Sequence, residues 1–392
     1  MSNLSAWIEF NPSVPLEKGK DYPFVAMDQI QPGIRYVRAV TQRNFPSGGA
    51  RFSHGDTLFA RITPCLENGK IAQFIAEPED CGFGSTEFFV LRARENIADP
   101  AFVYYLAKTE LLRGTAIQSM VGADGRQRAD VESLRQLEID LPDLPVQQKI
   151  GQVLAHYDDL IETNRRRIAL LEESARLLYR EWFVNMRYPG CSSLRDASEP
   201  PQGWEIKPLA EVATVNRASL GSKSEMVDIQ YVDIASVETG IVMGTSKMPY
   251  SEAPGRARRF VQHGDVIWSC VRPNRRSYAL LWEPDDDVVV STGFAVLTAS
   301  SVPFSYLYFA TTSDDFVSYL TNRATGAAYP AVSGKDFEEA PLLCPDSQVL
   351  QDFHERCLPM LELRSKLIRQ NVCLTEARDA LLPKLMSGAI QV

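Results

Sequence analysis

Two stretches of this chain repeat one order of turns and strands, and that duplication bounds the fold more tightly than any single motif. RFSHGDTLFARITPC runs from Arg51 to Cys65, and RFVQHGDVIWSCVRP from Arg259 to Pro273. Both place His-Gly-Asp at a turn before an alternating apolar strand, which reads as a strand-entry turn with Gly55 and Gly264 freeing the backbone. In the same order, GSTEFFVLRA (Gly84 to Ala93) answers VSTGFAVLTA (Val290 to Ala299), and YPFVAMDQIQPG (Tyr22 to Gly33) answers IQYVDIASVETG (Ile229 to Gly240). GADGRQRADVESL (Gly122 to Leu134) then aligns with RATGAAYPAVSGKDF (Arg323 to Phe337). Each copy predicts several short strands with Gly and Pro turns, a short helix near PAFVYYLAKTELL or PFSYLYFATTSDDF, and a long helix at its end.

The first long helix is predicted from the Pro-marked entry LPDLPVQQ, where Asp143 precedes Pro145, to Val184. Ile150, Leu154, Tyr157, Ile161, Asn164, Ile168, Leu171, Ala175, Leu178 and Trp182 alternate spacings of four and three, a coiled-coil seam with one polar member. Asn164 is therefore expected to fix helix register. The last segment repeats the design less cleanly: Phe353, Met360, Leu367, Leu374 and Leu381 keep a seven-residue spacing, the second seam position is mixed, and Pro359 is expected to bend or interrupt the helix. Related by a pseudo-twofold axis, such helices run antiparallel with the globular units at opposite ends, and about forty residues span on the order of 60 Å. The expected organisation is a first domain at 1–143, a helical region at 144–187, a linker at 188–203, a second domain at 204–343 and a second helical region at 344–392. EWFVNMRY is expected to close its helix end by core packing, against the first unit or a partner.

Composition narrows the function classes. At 392 residues, with 45% hydrophobic residues and no apolar run of bilayer length, the chain suits two folded domains and not a membrane protein. MSNLSAWIEF lacks a secretory signal's basic and apolar regions, so a cytoplasmic address is expected. Seven scattered cysteines without a Cys-x-x-Cys pair, and four histidines, suggest neither a disulfide framework nor a metal site. A net charge of −9 argues against coating nucleic acid regardless of sequence, but allows local basic patches. The acid excess lies in the two strand-rich halves.

The helical passage from Leu141 to Val184, the restart PQGWEIKPLAEVATV, the loop GADGRQR before a helix and the ending RDALLPKLMSGAIQV together resemble specificity subunits of type I restriction–modification enzymes. The resemblance covers nearly the whole chain and is most specific in the helical regions and the restart. It implies an α+β fold: two pseudo-symmetric, strand-rich α/β target recognition domains separated by two long antiparallel coiled-coil helices. It implies that each domain reads one half of an asymmetric, bipartite double-stranded DNA site. Two methyltransferase subunits would dock on the chain and methylate adenine N6, with S-adenosylmethionine on those partners. ATP and Mg²⁺ would be used by further restriction subunits, and this chain would bind no cofactor. The residues agree with that division of labour. No Gly-rich cofactor loop, nucleoside triphosphate loop or polar-Pro-Pro-aromatic base pocket occurs, and NPSV at Asn11 lacks the second Pro and the aromatic.

Base edges are read by Arg, Lys, Asn and Gln, and phosphates by local positive charge. The second unit offers GRARRF, with Arg256, Arg258 and Arg259, and RPNRR, with Arg272, Asn274, Arg275 and Arg276. The first offers Arg35, Arg38, Arg43, Arg51, Arg61 and Lys70, with Asn68 on the turn LENGK. Loops before the terminal helices add Arg126, Gln127 and Arg128 in one unit, and Tyr329 and Lys335 in the other. Helices starting near Asp130 or Ser333 are expected to offer backbone N–H groups to a phosphate. Arg165 to Arg167 and Asp285 to Asp287 read as solvated faces. Two other readings stay open: a methyltransferase whose motifs have diverged, and a scaffold that docks subunits without reading DNA.

Overall fold

The computed structural model describes residues 2–123, 125–190, 201–221 and 226–392, so most of the expected linker lies outside the described residues. Contacts divide the chain into two compact units, 1–166 with 368–392, and 167–367. Each unit thus contains a stretch of both long helices.

In the first unit a five-stranded sheet runs in the spatial order Ile8–Phe10, Phe88–Ala93, Thr57–Ala60, Ile71–Phe74, Tyr36–Val37. A four-stranded sheet runs Thr41–Asn44, Asp21–Val25, Cys81–Gly84, Ala50–Ser53. The alternation of the strands assigns their faces. Phe59, Phe89 and Leu91 join the core cluster that holds Phe102 and Tyr105 of the short helix and Ile150, Leu154, Leu382 and Leu385 of the long ones. Leu58, Phe88 and Val90 face the other way, against Val25 and Phe52 of the four-stranded sheet. The unit is therefore three layers: helices, five-stranded sheet, four-stranded sheet.

The second unit repeats this order strand for strand. Its five-stranded sheet is Ala213–Val215, Phe294–Ala299, Val266–Ser269, Tyr278–Leu280, Val237–Val242, and its four-stranded sheet is Ser246–Pro249, Asp228–Val232, Val288–Ser291, Ala257–Phe260. Both parallel pairings recur at equivalent places: Asp21–Val25 with Cys81–Gly84 answers Asp228–Val232 with Val288–Ser291, and Tyr36–Val37 with Ile71–Phe74 answers Val237–Val242 with Tyr278–Leu280. The His-Gly-Asp turns are also built alike. Gly55 and Gly264 take φ of 86° and 85°, a region a Cβ disfavours. Asp56 accepts from the Ser53 N–H and Asp265 from the Gln262 N–H, closing each turn. The aspartates then reach the neighbouring strand at matching positions, Asp56 to Arg92 and Asp265 to Thr298. Both side chains thus act within the fold.

The first long helix spans Leu144–Tyr179 and ends in a wider turn at Arg180–Val184; the second spans Ser347–Met386. Within each unit the two run antiparallel. In the first, Asp158 meets Arg378 and Asn164 meets Asn371; in the second, Glu172 meets Arg364 and Trp182 meets Phe353. No member of the first helix's predicted seam is exposed. Two expectations are corrected. The second helix continues through Pro359, which is exposed, so water can satisfy the carbonyl that proline leaves without a donor, while buried Cys357 and Leu361 hold the flanking turns. Trp182 and Phe183 pack into the second unit's core beside Trp204, Tyr306 and Phe353, and not against the first unit, because the C-terminal stretch of their helix belongs to the second unit.

Asn164 is 1% exposed and donates to Gln370 Oε1 at 2.9 Å and Asn371 Oδ1 at 3.0 Å, while its own oxygen has no partner. A buried acceptor without a donor is a cost carried for register. Asn164→Leu is expected to raise the unfolding free energy by on the order of 1 kcal/mol, since Gln370 can turn to solvent. A fall of that size in a urea titration would show that the amide bonds contribute net stability.

Candidate nucleic-acid interface

The basic residues singled out in the sequence separate into groups once their partners are known. Arg35 is 6% exposed; it donates twice to Gln73 Oε1, at 3.2 and 3.0 Å, and lies over the rings of Tyr36, Tyr104 and Tyr105. It braces the short helix against the sheet, and its expected place on a DNA surface is withdrawn. Lys70 donates to the Met27 carbonyl at 2.9 Å, which ties its ammonium to the unit's own backbone. Arg51 reaches the Val14 carbonyl and the Phe45 ring. Arg38, Asn68 and Arg126 are exposed, and Arg43 lies 4.0 Å from the Phe24 ring centroid on an exposed edge strand.

The short helices at Val131–Arg135 and Gly334–Glu338 do not offer the N–H groups expected of them. Asp130 accepts from the Glu132 and Ser133 N–H groups, and Asp336 accepts from Ser333 in a capping box. A carboxylate already occupies each start and would repel a phosphate.

In the first unit a cleft of about 460 Å³ is lined by Asn11, Ser13, Arg51, Arg61, Thr86 and Phe88 among others. Arg61 follows the strand Thr57–Ala60, Glu87 precedes Phe88–Ala93, and Arg128 comes from the loop whose bridge to Ile62 seats it beside them. Arg128 grips Glu87 through Nε at 3.1 and 3.0 Å and through Nη2, whereas Arg61 gives it only Nε, at 3.3 Å. The hydrogen bonds from Arg128, opposed by partial burial and aided by Arg61, hold the Glu87 carboxyl below its ordinary value. Gln127 exchanges hydrogen bonds with Thr63 and keeps this loop beside the strand end. Asn11, the start of NPSV, takes φ of 53° and accepts from the Val90 N–H; Asn216 does the same, at 57°, from Val296. Both asparagines are turn builders, which accounts for that string without chemistry.

The second unit displays its charge differently. RPNRR folds as a one-turn helix at Pro273–Arg275, flanked by Arg272 and Arg276 with φ of 52° and 56°. Left-handed backbone at two non-glycine residues costs on the order of 1 kcal/mol or more each and gathers at functional loops. Arg272 donates to the Ala328 carbonyl at 3.0 Å and stacks on Tyr329, itself 70% exposed, while Arg276 pairs with Asp314. Their neighbours Asn274 and Arg275 are exposed. Arg258 donates to Tyr250 at 2.8 Å, Arg259 keeps a buried Nε without a partner, Arg256 is exposed, and Lys335 sits 3.6 Å from Glu339. Asp285 and Asp287 accept from Gln230, and Arg166 pairs along its helix with Glu162.

Sequence reasoning missed Glu87, the residue that holds Arg61 and Arg128 together, since a single acid among strands carries no signal. It also missed the buried charges behind it. Arg378, 2% exposed, pairs with Asp158, 3% exposed, which also accepts from Tyr105; Arg378 reaches the Gly33 carbonyl as well. Burial penalises the Arg378 charge, and Asp158 and then Asp379 outweigh it, so the guanidinium sits above its ordinary value. In the second unit, Glu172 accepts from Tyr308, lies 3.0 Å from Arg364, and Arg364 reaches the Gly240 carbonyl. Tyr105 and Tyr308, like Gly33 and Gly240, are equivalent in the repeat, so each unit is tied to the helices in the same manner.

The chain is similar to known proteins. The family described as type I restriction modification DNA specificity domain matches residues 7–173. The type I restriction enzyme MjaIX specificity subunit of Methanocaldococcus jannaschii is 24% identical over 74% of this chain and 69% of its own length. The HindI specificity subunit of Haemophilus influenzae is 22% identical over 86% of each. The crystal structure of a type I restriction–modification system S subunit from M. genitalium superposes with a TM-score of 0.57 at 15% identity, covering 98% of this chain and 95% of that one, which shows the common fold. Among the described residues no helix is long and apolar enough to cross a membrane. The chain is thus similar over most of its length to specificity subunits of type I restriction enzymes, and residues 7–173 match the DNA specificity domain of that family.

Proposed function

We propose that each strand-rich unit reads one half of an asymmetric, bipartite DNA site, and that the long helices set the spacing between the halves. The observation that carries this reading is the duplication itself: two units with one strand order, each tied to both helices by its own buried Tyr–carboxylate–Arg cluster, but with different side chains at their equivalent loops. Equal scaffolds with unequal loops suit two different half-sites. The first helix, of 36 residues, is a rod of on the order of 55 Å, long enough to space two contacts along a duplex. Two methyltransferase subunits dock on the helices and units and methylate adenine N6 from S-adenosylmethionine. ATP and Mg²⁺ belong to restriction subunits that join the complex, and the site of action is the cytoplasm. This chain binds none of these cofactors.

The test is to express the chain with and without a cognate methyltransferase subunit and to map N6-methyladenine across host DNA by single-molecule sequencing. A gapped, two-part motif that requires both chains is the expected result. Soluble chains that leave no motif would overturn the reading and favour a scaffold that docks subunits without reading sequence.

A further inference from the structure

We infer that Arg61, which lines the first unit's cleft and is held by the Glu87–Arg128 pair, reads a guanine in the half-site that this unit recognises. The inference rests on the bipartite reading above and adds a base and a residue to it.

Arg128 already binds the Glu87 carboxylate through two nitrogens, so the carboxylate needs no second arginine for its neutralisation. Arg61 gives it only Nε, at 3.3 Å, and the guanidinium carbon lies 5.5 Å from the Phe89 ring centroid. Its two terminal nitrogens have no hydrogen-bond partner among the described residues, and the side chain is 33% exposed in the wall of the cleft. That leaves a planar fork of N–H donors, oriented from behind and open in front. A guanine presents O6 and N7 in the major groove with the spacing that such a fork matches, and it is the base arginine pairs with best. An adenine offers a donor where the fork needs an acceptor.

The second unit shows that the cluster is not required by the fold. Its equivalent positions, aligned by the bridges Ile62 to Arg128 and Val271 to Ala331, are Cys270, Gly293 and Ala331. The backbone there is the same: Ala129 N–H donates to the Arg61 carbonyl, and Val332 N–H to the Cys270 carbonyl. A side-chain cluster absent from one of two like scaffolds has a task particular to the other. Glu87 is accordingly a positioning residue, since it touches DNA only through the arginine it orients.

The experiment compares wild type, Arg61→Ala, Arg61→Lys and Glu87→Gln in the full methyltransferase complex. Methylation motifs are mapped on host DNA, and binding is measured on duplexes carrying each base at each position. In wild type one guanine of one half-site is strictly required. Arg61→Ala and Arg61→Lys are expected to lose roughly ten- to a hundred-fold of the preference at that position alone, because lysine keeps the charge but not the fork. Glu87→Gln should loosen the same position to a smaller degree. The other half-site stays unchanged. If Arg61→Ala does not fold, Arg61→Lys decides. A motif intact at every position in the Arg61 variants, or binding weakened equally on all sequences as for a phosphate contact, overturns the inference while leaving the bipartite reading standing. No gapped motif from the wild-type complex overturns both.

Discussion

Asp158→Ala is expected to cost the first unit about 3 kcal/mol of stability, because it leaves a buried guanidinium without its carboxylate. Arg378 is 2% exposed, and its remaining partners are the Gly33 carbonyl and Asp379, whose side chain is 53% exposed. Tyr105 loses its acceptor in the same substitution, and its hydroxyl has no route to bulk water between the short helix and the long ones. The two partial replacements for Arg378 place the loss toward the lower end of what breaking a buried pair costs. Amide hydrogen exchange provides the readout, since it reports each unit separately: strands Thr57–Ala60 and Phe88–Ala93 should exchange faster by two orders of magnitude, with strands Val266–Ser269 and Phe294–Ala299 unaffected. Replacing both partners, as Asp158→Leu with Arg378→Met, should recover most of the loss, because the guanidinium that lost its carboxylate is then gone as well. A loss below 1 kcal/mol for Asp158→Ala would mean that water reaches Arg378.

The same pair shows why the sequence disclosed the helices but not their fastening. Periodicity marks apolar positions, and on the first helix it found a seam that is nowhere exposed. On the second helix the other seam position reads Cys357, Arg364, Asn371, Arg378, Leu385, seven residues apart, and three polar residues in five break an apolar pattern. Each of the three has its match on the first helix: Arg364 with Glu172, Asn371 with Asn164, Arg378 with Asp158. Matching of this kind is a property of the pair of helices, and no periodicity within one of them reveals it. The carboxylates lie on the first helix and the arginines on the second, so register and partner are set together.

The candidate interface was legible for a related reason only in part. Clusters of arginine on matching loops were visible, and RPNRR forms a turn with left-handed backbone at both ends that exposes Asn274 and Arg275. Arg35 looked the same as Arg61 in the sequence, yet one is buried among three tyrosines and the other opens on a cleft. What separates them is the neighbouring strand: Arg35 precedes Tyr36–Val37 at the sheet edge, under the short helix, while Arg61 follows Thr57–Ala60 in the centre. Strand order was set by pairings far apart in the chain, and the sequence carried no signal for them beyond the repeat.

The repeat also makes a packing prediction. In the first unit Phe59 pairs across strands with Phe89; at the equivalent place in the second, Trp268 pairs with Ala295. Two medium rings in one unit thus occupy the place of one large ring and a methyl in the other, both on the sheet face that packs against the helices. Trp268 is fully buried, with Tyr278, Phe316 and Phe337 at 4.8, 6.4 and 6.5 Å between ring centroids, and its N–H has no partner, so truncation removes packing and no hydrogen bond. Trp268→Ala is expected to cost about 3–5 kcal/mol, read as faster exchange and a lower unfolding midpoint in the second unit. Trp268→Phe should cost less, and adding Ala295→Phe to it should restore part of the stability, although Ala295→Phe alone overpacks the wild-type core. Opposite signs for Ala295→Phe in the two backgrounds are the signature of one shared volume. If Ala295→Phe destabilises equally in both, the two positions do not share that space, and the units have solved their cores independently.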